Sequence, residues 1–398
     1  MRDAVSTNMP FDALNIQECV RCGNCMELCP TFAEALSESM GPRGRVALLK
    51  EMAASGLSRT RPLDERIFSC MLCGACNGRC PAGISITEAV YAGRTRLREQ
   101  PGARELSVPL IRHAFRHAAQ AFRLVRAVRG ITNWPLVRSI PALRALANLH
   151  IRPASSPLKD AGSVHRVQNA RGRVAVFAGC TVGYLFPEYG HALIESLQAL
   201  RYDVVVPKGE VCCGAPLLSL GFRDDAVLLA EKNMRLFRDL RVEAVVSLCP
   251  TCVHFLRDEY RILLGEGMSG VMDENTFFDH HADRFRDRRS RGTAVYHAPC
   301  HTRHMLKSDG TARRLISAAG YDLQQCEPGC CGFGGAFSVL YEDMSNALRE
   351  KRLAAFREAD SIITSCPNCI LQLQRRAETI TIRHSIEIIH ESLTGAKS

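Results

Sequence analysis

The sequence predicts an α+β multidomain fold: a mostly helical N-terminal domain, then two duplicated α/β units with parallel sheets. Three observations carry that prediction. Nineteen cysteines fall in ordered runs along 398 residues. Before residue 100, apolar residues recur at helical spacing. From Arg173 onward, short apolar runs rich in Val and Ile alternate with helical patterns, and the whole series occurs twice.

In the first hundred residues the run Cys19-x2-Cys22-x2-Cys25-x3-Cys29-Pro30 recurs as Cys70-x2-Cys73-x2-Cys76-x3-Cys80-Pro81. Three thiolates on one tight loop can hold three irons of a cube. The remote fourth Cys, followed by Pro, is then free to reach the other cube. The spacing therefore predicts one [4Fe–4S] cubane on Cys19, Cys22, Cys25 and Cys80, and a second on Cys70, Cys73, Cys76 and Cys29. Paired zinc sites are the competing reading, but tetrahedral zinc has no use for the third Cys, the x3 step and the Pro in both copies. Arg45–Met52 and Ser85–Arg98 have helical patterns. Residues 1–100 are thus expected to be a helical ferredoxin-like domain that folds as a module, not a small β-rich one.

Residues 101–170 read as a basic amphipathic connector. Ile111, Phe115, Ala118, Phe122 and Val125 fall on one face of a helix expected over Leu110–Val125, with Arg112, Arg116 and Arg123 beside it. Pro135, Pro141, Pro153 and Pro157 interrupt the remainder of the stretch. The net charge of +10 has its source here. Arg94, Arg96, Arg98, Arg104, Arg112, Arg116, Arg123, Arg126, Arg129, Arg138, Arg144 and Arg152 face only Glu99 and Glu105 in that stretch. Few aromatics and no nucleic-acid motif accompany them, so no nucleic-acid partner is expected. A membrane surface or an acidic partner fits better, although the apolar stripe can equally pack on its own protein.

The α/β copies are expected over 171–290 and 291–398. In the first, Val174–Cys180 is a strand ending in Cys180. Val204-Val205-Val206 leads to Cys212-Cys213-Gly214, and Ala244–Leu248 runs into Cys249-Pro250-Thr251-Cys252. In the second, Ala294–Cys300 ends in Cys300, Cys330-Cys331-Gly332 comes next, and Ile362–Ser365 runs into Cys366-Pro367-Asn368-Cys369. Offsets of 120 (Cys180 to Cys300), 118 (Cys213 to Cys331) and 117 (Cys249 to Cys366, Cys252 to Cys369) mark an internal duplication. Ala226–Leu240 and Asn346–Glu358 read as helices between strands. In a parallel sheet the loops after the strands share one edge. Cys180, Cys212, Cys213, Cys249 and Cys252 can therefore converge, and so can Cys300, Cys330, Cys331, Cys366 and Cys369. Five thiolates exceed what zinc or one cubane uses. An unusual cluster or a reactive thiol would account for the surplus.

Cys326 is left over and reads as a small packing residue. Gly332-Phe333-Gly334-Gly335 is no dinucleotide fingerprint, since it comes after a Cys pair; its bare N–H groups suit cluster sulfurs. His297, His301 and His304 flank Cys300, either as proton carriers or as structural groups. Pro250, Pro299 and Pro367 fix loops beside cysteines.

With these residues in view the chain resembles a known group, the iron–sulfur subunits that combine a two-cubane ferredoxin domain with two cysteine-rich "CCG" domains. That group serves glycolate oxidase, anaerobic glycerol-3-phosphate dehydrogenase and membrane-bound heterodisulfide reductase. Gly41-Pro42-Arg43-Gly44-Arg45 is most similar to the glycolate oxidase branch, and the motifs Tyr296-His297-x-Pro299-Cys300-His301 and Cys331-Gly332-Phe333-Gly334-Gly335 are similar to the wider group. The complete Cys249/Cys252 and Cys366/Cys369 pairs lean towards the heterodisulfide reductase and lactate-utilisation branches. The resemblance implies one or two noncubane [4Fe–4S] clusters on the five-Cys sets.

No flavin or nicotinamide fingerprint appears, and one-electron clusters cannot take a hydride from an alcohol carbon. The expectation is an electron-transfer subunit, with no flavin on this chain, serving an FAD-containing dehydrogenase of glycolate or D-lactate and passing electrons to a quinone or another carrier. Two alternatives stand beside it: disulfide reduction at a CCG cluster, and a structural zinc module. The N-terminus lacks an apolar signal segment and no apolar run approaches the roughly 20 residues of a spanning helix. A cytoplasmic location, peripheral on the inner face of the cytoplasmic membrane, is expected.

Overall fold

Two parallel sheets organise the chain beyond residue 162. The computed structural model describes residues 14–54, 57–101, 107–127, 153–158, 162–285, 290–356, 359–375 and 380–396. The first sheet contains β1 (Ser163–His165), β2 (Gly172–Val176), β3 (Tyr202–Val206), β4 (Ala244–Ser247) and β5 (Val271–Asp273), in the order β1-β3-β2-β4-β5. The second contains β6 (Thr293–His297), β7 (Asp322–Gln324), β8 (Ser361–Thr364) and β9 (Thr381–His384), in the order β7-β6-β8-β9. Strands 3-2-4-5 and 7-6-8-9 are therefore the same arrangement built twice, all parallel. The fold is α+β and multidomain, as the sequence predicts.

Why these stretches form strands is visible in their burial. Val174-Ala175-Val176 and Ala244-Val245-Val246 are covered on both faces, as expected for a parallel sheet sandwiched by helices. β1 is the exception. It pairs antiparallel with β3, Ser163 opposite Val206, so the first sheet begins inside the stretch read as connector. Helix Arg223–Arg238 buries Ala226, Leu229, Ala230, Met234 and Phe237 on one face. Asp224 and Asp225 lie in its first turn, and Arg235 and Arg238 in its last, so its charges complement the helix dipole. Its counterpart runs Glu342–Ala354, starting four residues before the expected Asn346; residues 357 and 358 lie outside the described residues.

The N-terminal part is helical, with no strand before Ser163 among the described residues. Its principal helices are Pro42–Ala54, Arg61–Phe68 and Ile86–Glu99. Thr60 caps the second, its hydroxyl accepting from the Leu63 amide. One expectation needs correction here, that of an independent module. Val46, Leu49, Ile67, Ala89 and Leu97 belong to a single apolar core that continues through Ala175, Phe177, Leu217, Val245 and Phe255 of the first α/β unit. Arg94 fastens the seam. Its buried guanidinium donates to the carbonyls of Ile67, Phe68, Cys70 and, across the seam, Ser219.

The amphipathic stretch is also not one helix. It is two, Ser107–Arg116 and Ala118–Ala127, divided at His117. The apolar stripe faces inward: Ile111 packs with Leu220 and Ala336, and Phe122 stacks on Tyr184 with centroids 4.8 Å apart. Of the two expectations for the stripe, packing on its own protein is the one seen at Ile111 and Phe122, while Leu110 and Leu124 stay exposed. Arg112 and Arg116 both pair with buried Asp225, at 2.5 and 3.0 Å. Arg98 donates to the Leu220 carbonyl, and Arg126 to that of Ser155. Much of the surplus charge is thus engaged internally. Pro135, Pro141, Arg104, Arg129, Arg138, Arg144 and Arg152 lie outside the described residues. Among those described, no helix is long and apolar enough to cross a membrane.

Candidate metal centre

Each N-terminal cysteine run folds into the same loop. Arg21 and Leu72, between the first two cysteines of each run, have φ of 57° and 55°, and Gly23 and Gly74 have φ of 87° and 76°. Cys29 and Cys80 precede proline and are both extended, at φ −79°, ψ 114° and φ −80°, ψ 113°, the region a following Pro enforces. Each fourth Cys therefore leaves its own loop. Cys80 joins Cys19, Cys22 and Cys25 around one small pocket, and Cys29 joins Cys70, Cys73 and Cys76 around another. Burial pushes the Cys25 thiol up to about 11 and the Cys73 thiol up to about 12, with neighbouring sulfurs adding to both. Sulfur crowding of this kind is relieved when thiols release protons to bind metal. Four thiols per pocket, with no carboxylate or imidazole lining either, suit iron–sulfur chemistry.

The remaining ten ligand-type cysteines sit at the carboxyl ends of the strands. Cys249 and Cys366 are extended N-caps, each followed by Pro at the first helical position, of Pro250–His254 and Pro367–Leu373. Cys252 and Cys369 lie within the first turn, so each Cys-Pro-x-Cys pair sits at the start of a short helix. In the first unit Cys212 contacts Cys180 and Cys213, and Cys252 contacts Cys213 and Cys249. In the second, Cys331 contacts Cys330 and lies 3.3 Å from Cys369, which contacts Cys366; Cys300 adjoins Cys330 and Cys331.

The two sets are not separate. Cys249 contacts Cys366 directly, so the sulfurs form one ribbon along a cavity of about 280 Å3 between the units. The junction has pseudo-two-fold symmetry. Thr181, just after Cys180, donates to Asn368 of the other unit at 2.8 Å. His301, just after Cys300, meets Thr251 of the first unit at 3.4 Å. Hydrogen bonds from Cys212 and Cys252 hold the Cys213 thiol down at about 6. Those from Cys252 and Cys366 hold Cys249, and those from Cys330 and Cys369 hold Cys331, well below the usual thiol range.

Other groups press on the sulfurs from behind. Gly332 has φ +84°, and a Cβ there would fall 2.4 Å from the Ser345 carbonyl oxygen; its amide donates to Cys330 Sγ at 3.3 Å. Met71, beside Cys70, lies with Sδ 3.7 Å from Cys330 Sγ, and the charge of Cys73 is felt at Cys300 and Cys330. The second ferredoxin pocket therefore abuts the second set, while the first lies towards the rim, where Cys22 is exposed. Phe115, Phe122 and Val125 of the two connector helices roof the cavity.

Of the three histidines near Cys300, His301 lines the cavity and burial holds it down at about 3. His304 is half-buried and lowered by burial. His297 is fully buried beneath, lowered by burial, with the nearby Cys331 thiol opposing. Cys326 packs part-buried against the second core. Sequence reasoning missed His254, which is hydrogen-bonded to Asp258 at 3.0 Å and to Glu259 at 3.1 Å. Burial lowers this imidazole, but the two carboxylates outweigh it and carry it up to about 9. Glu88 from the ferredoxin part joins them, pushed up to about 9 by burial and then by Glu259. Nothing in the local sequence marks Asn368, Met71 or Glu88, because each acts across a domain seam.

Two family models match the chain. A 4Fe-4S dicluster domain covers residues 15–84, and a cysteine-rich domain matches twice, at 174–257 and 294–374. The chain is 26% identical to "Probable glycolate oxidase iron-sulfur subunit" of Bacillus subtilis, over 96% of this chain and 93% of that protein. It is 26% identical to a subunit of the CoM/CoB fumarate reductase of Methanothermobacter marburgensis, over 92% and 69%. With a subunit of the anaerobic glycerol-3-phosphate dehydrogenase of Escherichia coli it shares 29% identity, over 56% and 59%.

Proposed function

Because this chain belongs to the iron–sulfur proteins that join a 4Fe-4S dicluster domain to two cysteine-rich domains, we propose that it is the electron-transfer subunit of a flavin-dependent 2-hydroxy-acid dehydrogenase. In this reading Cys19, Cys22, Cys25 and Cys80 hold one [4Fe–4S] cubane, and Cys29, Cys70, Cys73 and Cys76 hold a second. The two five-Cys sets hold further clusters of noncubane type. Bound there, such clusters take up and release single electrons.

The observation that carries the proposal is the unbroken file of sulfur sites. It runs from the exposed Cys22 rim, through the Cys73 pocket, past Met71 to Cys330 and on to the central cavity. The chain's own residues hold this file in place. Arg94 ties the Cys70 loop to the first unit, and Phe115 and Phe122 line the cavity beside its thiols. An FAD-bearing partner would supply the two-electron step on glycolate or D-lactate, docking near the rim pocket, with a quinone or other carrier as the acceptor. The chain would then work in the cytoplasm, at the inner face of the cytoplasmic membrane.

The test is purification from the native source and then addition of substrate. Glycolate or D-lactate should bleach the cluster absorbance of the complex and leave the isolated chain unchanged. Bleaching of the isolated chain, without flavin, would reject the subunit assignment. A second reading, disulfide reduction, is favoured by one observation: thiols of both sets border a single cavity. Turnover of a heterodisulfide by the isolated chain would select it. Zinc without iron on metal analysis would select the structural module instead.

A further inference from the structure

His297 occupies the last position of β6, three residues before Cys300. It is 1% exposed, and its Nε2 makes no hydrogen bond of ordinary geometry. Buried nitrogens are satisfied in all but a few cases, and the group the ring can turn to is the Cys331 thiol, with which it interacts. The ring nitrogen available as a ligand atom lies within 4.8 Å of both Cys331 Sγ and Cys369 Sγ. A histidine beside two cysteines looks at first like part of a zinc site.

The opposite edge of the ring decides otherwise. Arg352 Nε donates to His297 Nδ1 at 3.0 Å. A guanidinium has donors only, so Nδ1 must present its lone pair and the imidazole proton sits on Nε2. With that proton in place Nε2 cannot ligate a metal; it can only donate. Arg352 cannot easily turn away, because its Nη1 donates to the Glu327 carbonyl at 2.6 Å and its guanidinium lies 4.2 Å over the Phe356 ring.

We propose that His297, locked by Arg352 as an Nε2–H donor, hydrogen-bonds the Cys331/Cys369 side of the cluster held by the second cysteine set and raises its reduction potential above that of the first set. Hydrogen bonds to ligand sulfur stabilise the more negative, reduced cluster and are a principal control of its potential. The first unit places different residues at both positions. The offset of 120 that relates Cys180 to Cys300 puts Phe177 where His297 stands. Gly214 lies against Ala226 as Gly332 lies against Ser345, an offset of 119 that sets Asn233 opposite Arg352. Asn233 is neutral and holds the backbone of Val211 and Cys212. The duplication thus keeps five thiols in each unit but puts this donor and its buried cation in the second alone. That second set is the one beside Met71 and Cys73, so an electron leaving the ferredoxin pockets meets the better acceptor first. His297 is a positioning residue in this role, acting through the sulfurs.

The inference rests on the reading of the five-Cys sets as cluster sites, and the experiment separates the two. Iron and acid-labile sulfide are counted first on the whole chain, and each EPR signal is followed through a redox titration. Wild type with iron enough for the ferredoxin pockets only would reject the cluster reading itself. With the clusters present, His297→Phe, the residue the first unit uses, should lower one cysteine-rich midpoint and leave the others unmoved. A tenfold loss in the reduction equilibrium reads as about 59 mV for a one-electron couple. His297→Gln, whose amide also donates from the Nε2 position, should restore most of the shift, and Arg352→Leu should lower the same midpoint. Unmoved midpoints in His297→Phe at full iron content would overturn the proposal. So would iron lost from both His297 variants, or a strong directly bonded nitrogen coupling in the wild-type EPR spectrum, since either makes His297 a ligand.

Discussion

The two cysteine-rich units share a sheet order, a set of five thiols and a Gly after each Cys pair, yet they differ in almost every polar group around the sulfur. His297 and Arg352 of the second unit stand where the first has Phe177 and Asn233. The first unit has His254 between Asp258 and Glu259, where an offset of 117 puts Leu371 in the second. Duplication retained the ligand frame and released the electrostatics. Two centres with the same ligands and different surroundings have different potentials, which gives a chain of one-electron sites a direction.

The sharpest way to break this comparison is at the thiols the units share. Cys249→Ser is expected to deplete iron from both five-Cys sets, because Cys249 contacts Cys366 across the junction. Cys180→Ser, at the far end of the ribbon, should deplete the first set only. Iron and sulfide counts per chain, with EPR, distinguish the two outcomes, and equal losses from both variants would mean the sets act as one.

Next in size is the pair of glycines. Gly332→Ala drives a Cβ to 2.4 Å from a carbonyl oxygen at φ +84°, whereas in Gly214→Ala the nearest atom is 3.3 Å away at φ +99°. Both lose the glycine-only backbone freedom, about 1–2 kcal/mol, and the clash should take Gly332→Ala to about 3 kcal/mol or more. Chemical denaturation of the two variants should rank them in that order.

The ferredoxin pockets offer a subtler contrast. Cys22→Ser should remove one ferredoxin signal and leave the second-set signal unmoved. Cys73→Ser should remove the other ferredoxin signal and also shift the second-set signal, since its pocket abuts that set at Met71 and its charge is felt at Cys300 and Cys330. A second-set spectrum blind to both changes would show the adjacency has no electronic effect.

The smallest effect concerns Glu88, which leans on the first unit. Its carboxyl is raised to about 9 in the folded protein, by burial and then by Glu259, from an ordinary 4.5. Between those values the folded chain holds a proton the unfolded chain has lost. Stability therefore falls as pH rises through that window. Glu88→Gln should flatten the slope and be the more stable form at pH 8, by on the order of 1 kcal/mol. An unchanged slope in pH-dependent melting would show that Glu88 does not hold that proton.

The cysteine frame was readable because spacing alone encodes it, and β2, β4, β6 and β8 because their runs are apolar on both faces. The edges were not. β7 is Asp-Leu-Gln and lies exposed; β1, β5 and β9 are three or four residues long, too short for a period to show. The break at His117 carries no Pro or Gly, so periodicity alone runs two helices into one. The seams were hidden for a different reason. Arg94 reaches Ser219 over 125 positions and Thr181 reaches Asn368 over 187, and nothing in the local sequence of either residue names its partner. The juxtaposition of the two sets, and of His297 with Arg352, depends on those seams.

The pseudo-two-fold junction lets one polypeptide do what two identical copies cannot. A single unit presents Cys249, or its equivalent, on the very face where its copy now lies, beside the polar contacts that both Thr181–Asn368 and His301–Thr251 reproduce in reversed order. A face that fits its own copy is the signature of an isologous interface. The geometry is that of a homodimer written into one polypeptide, each unit lending half of a shared thiol wall at fixed unit stoichiometry. Joined in this way, the two halves need not carry the same side chains, so a histidine stands on one side of the axis and a phenylalanine on the other.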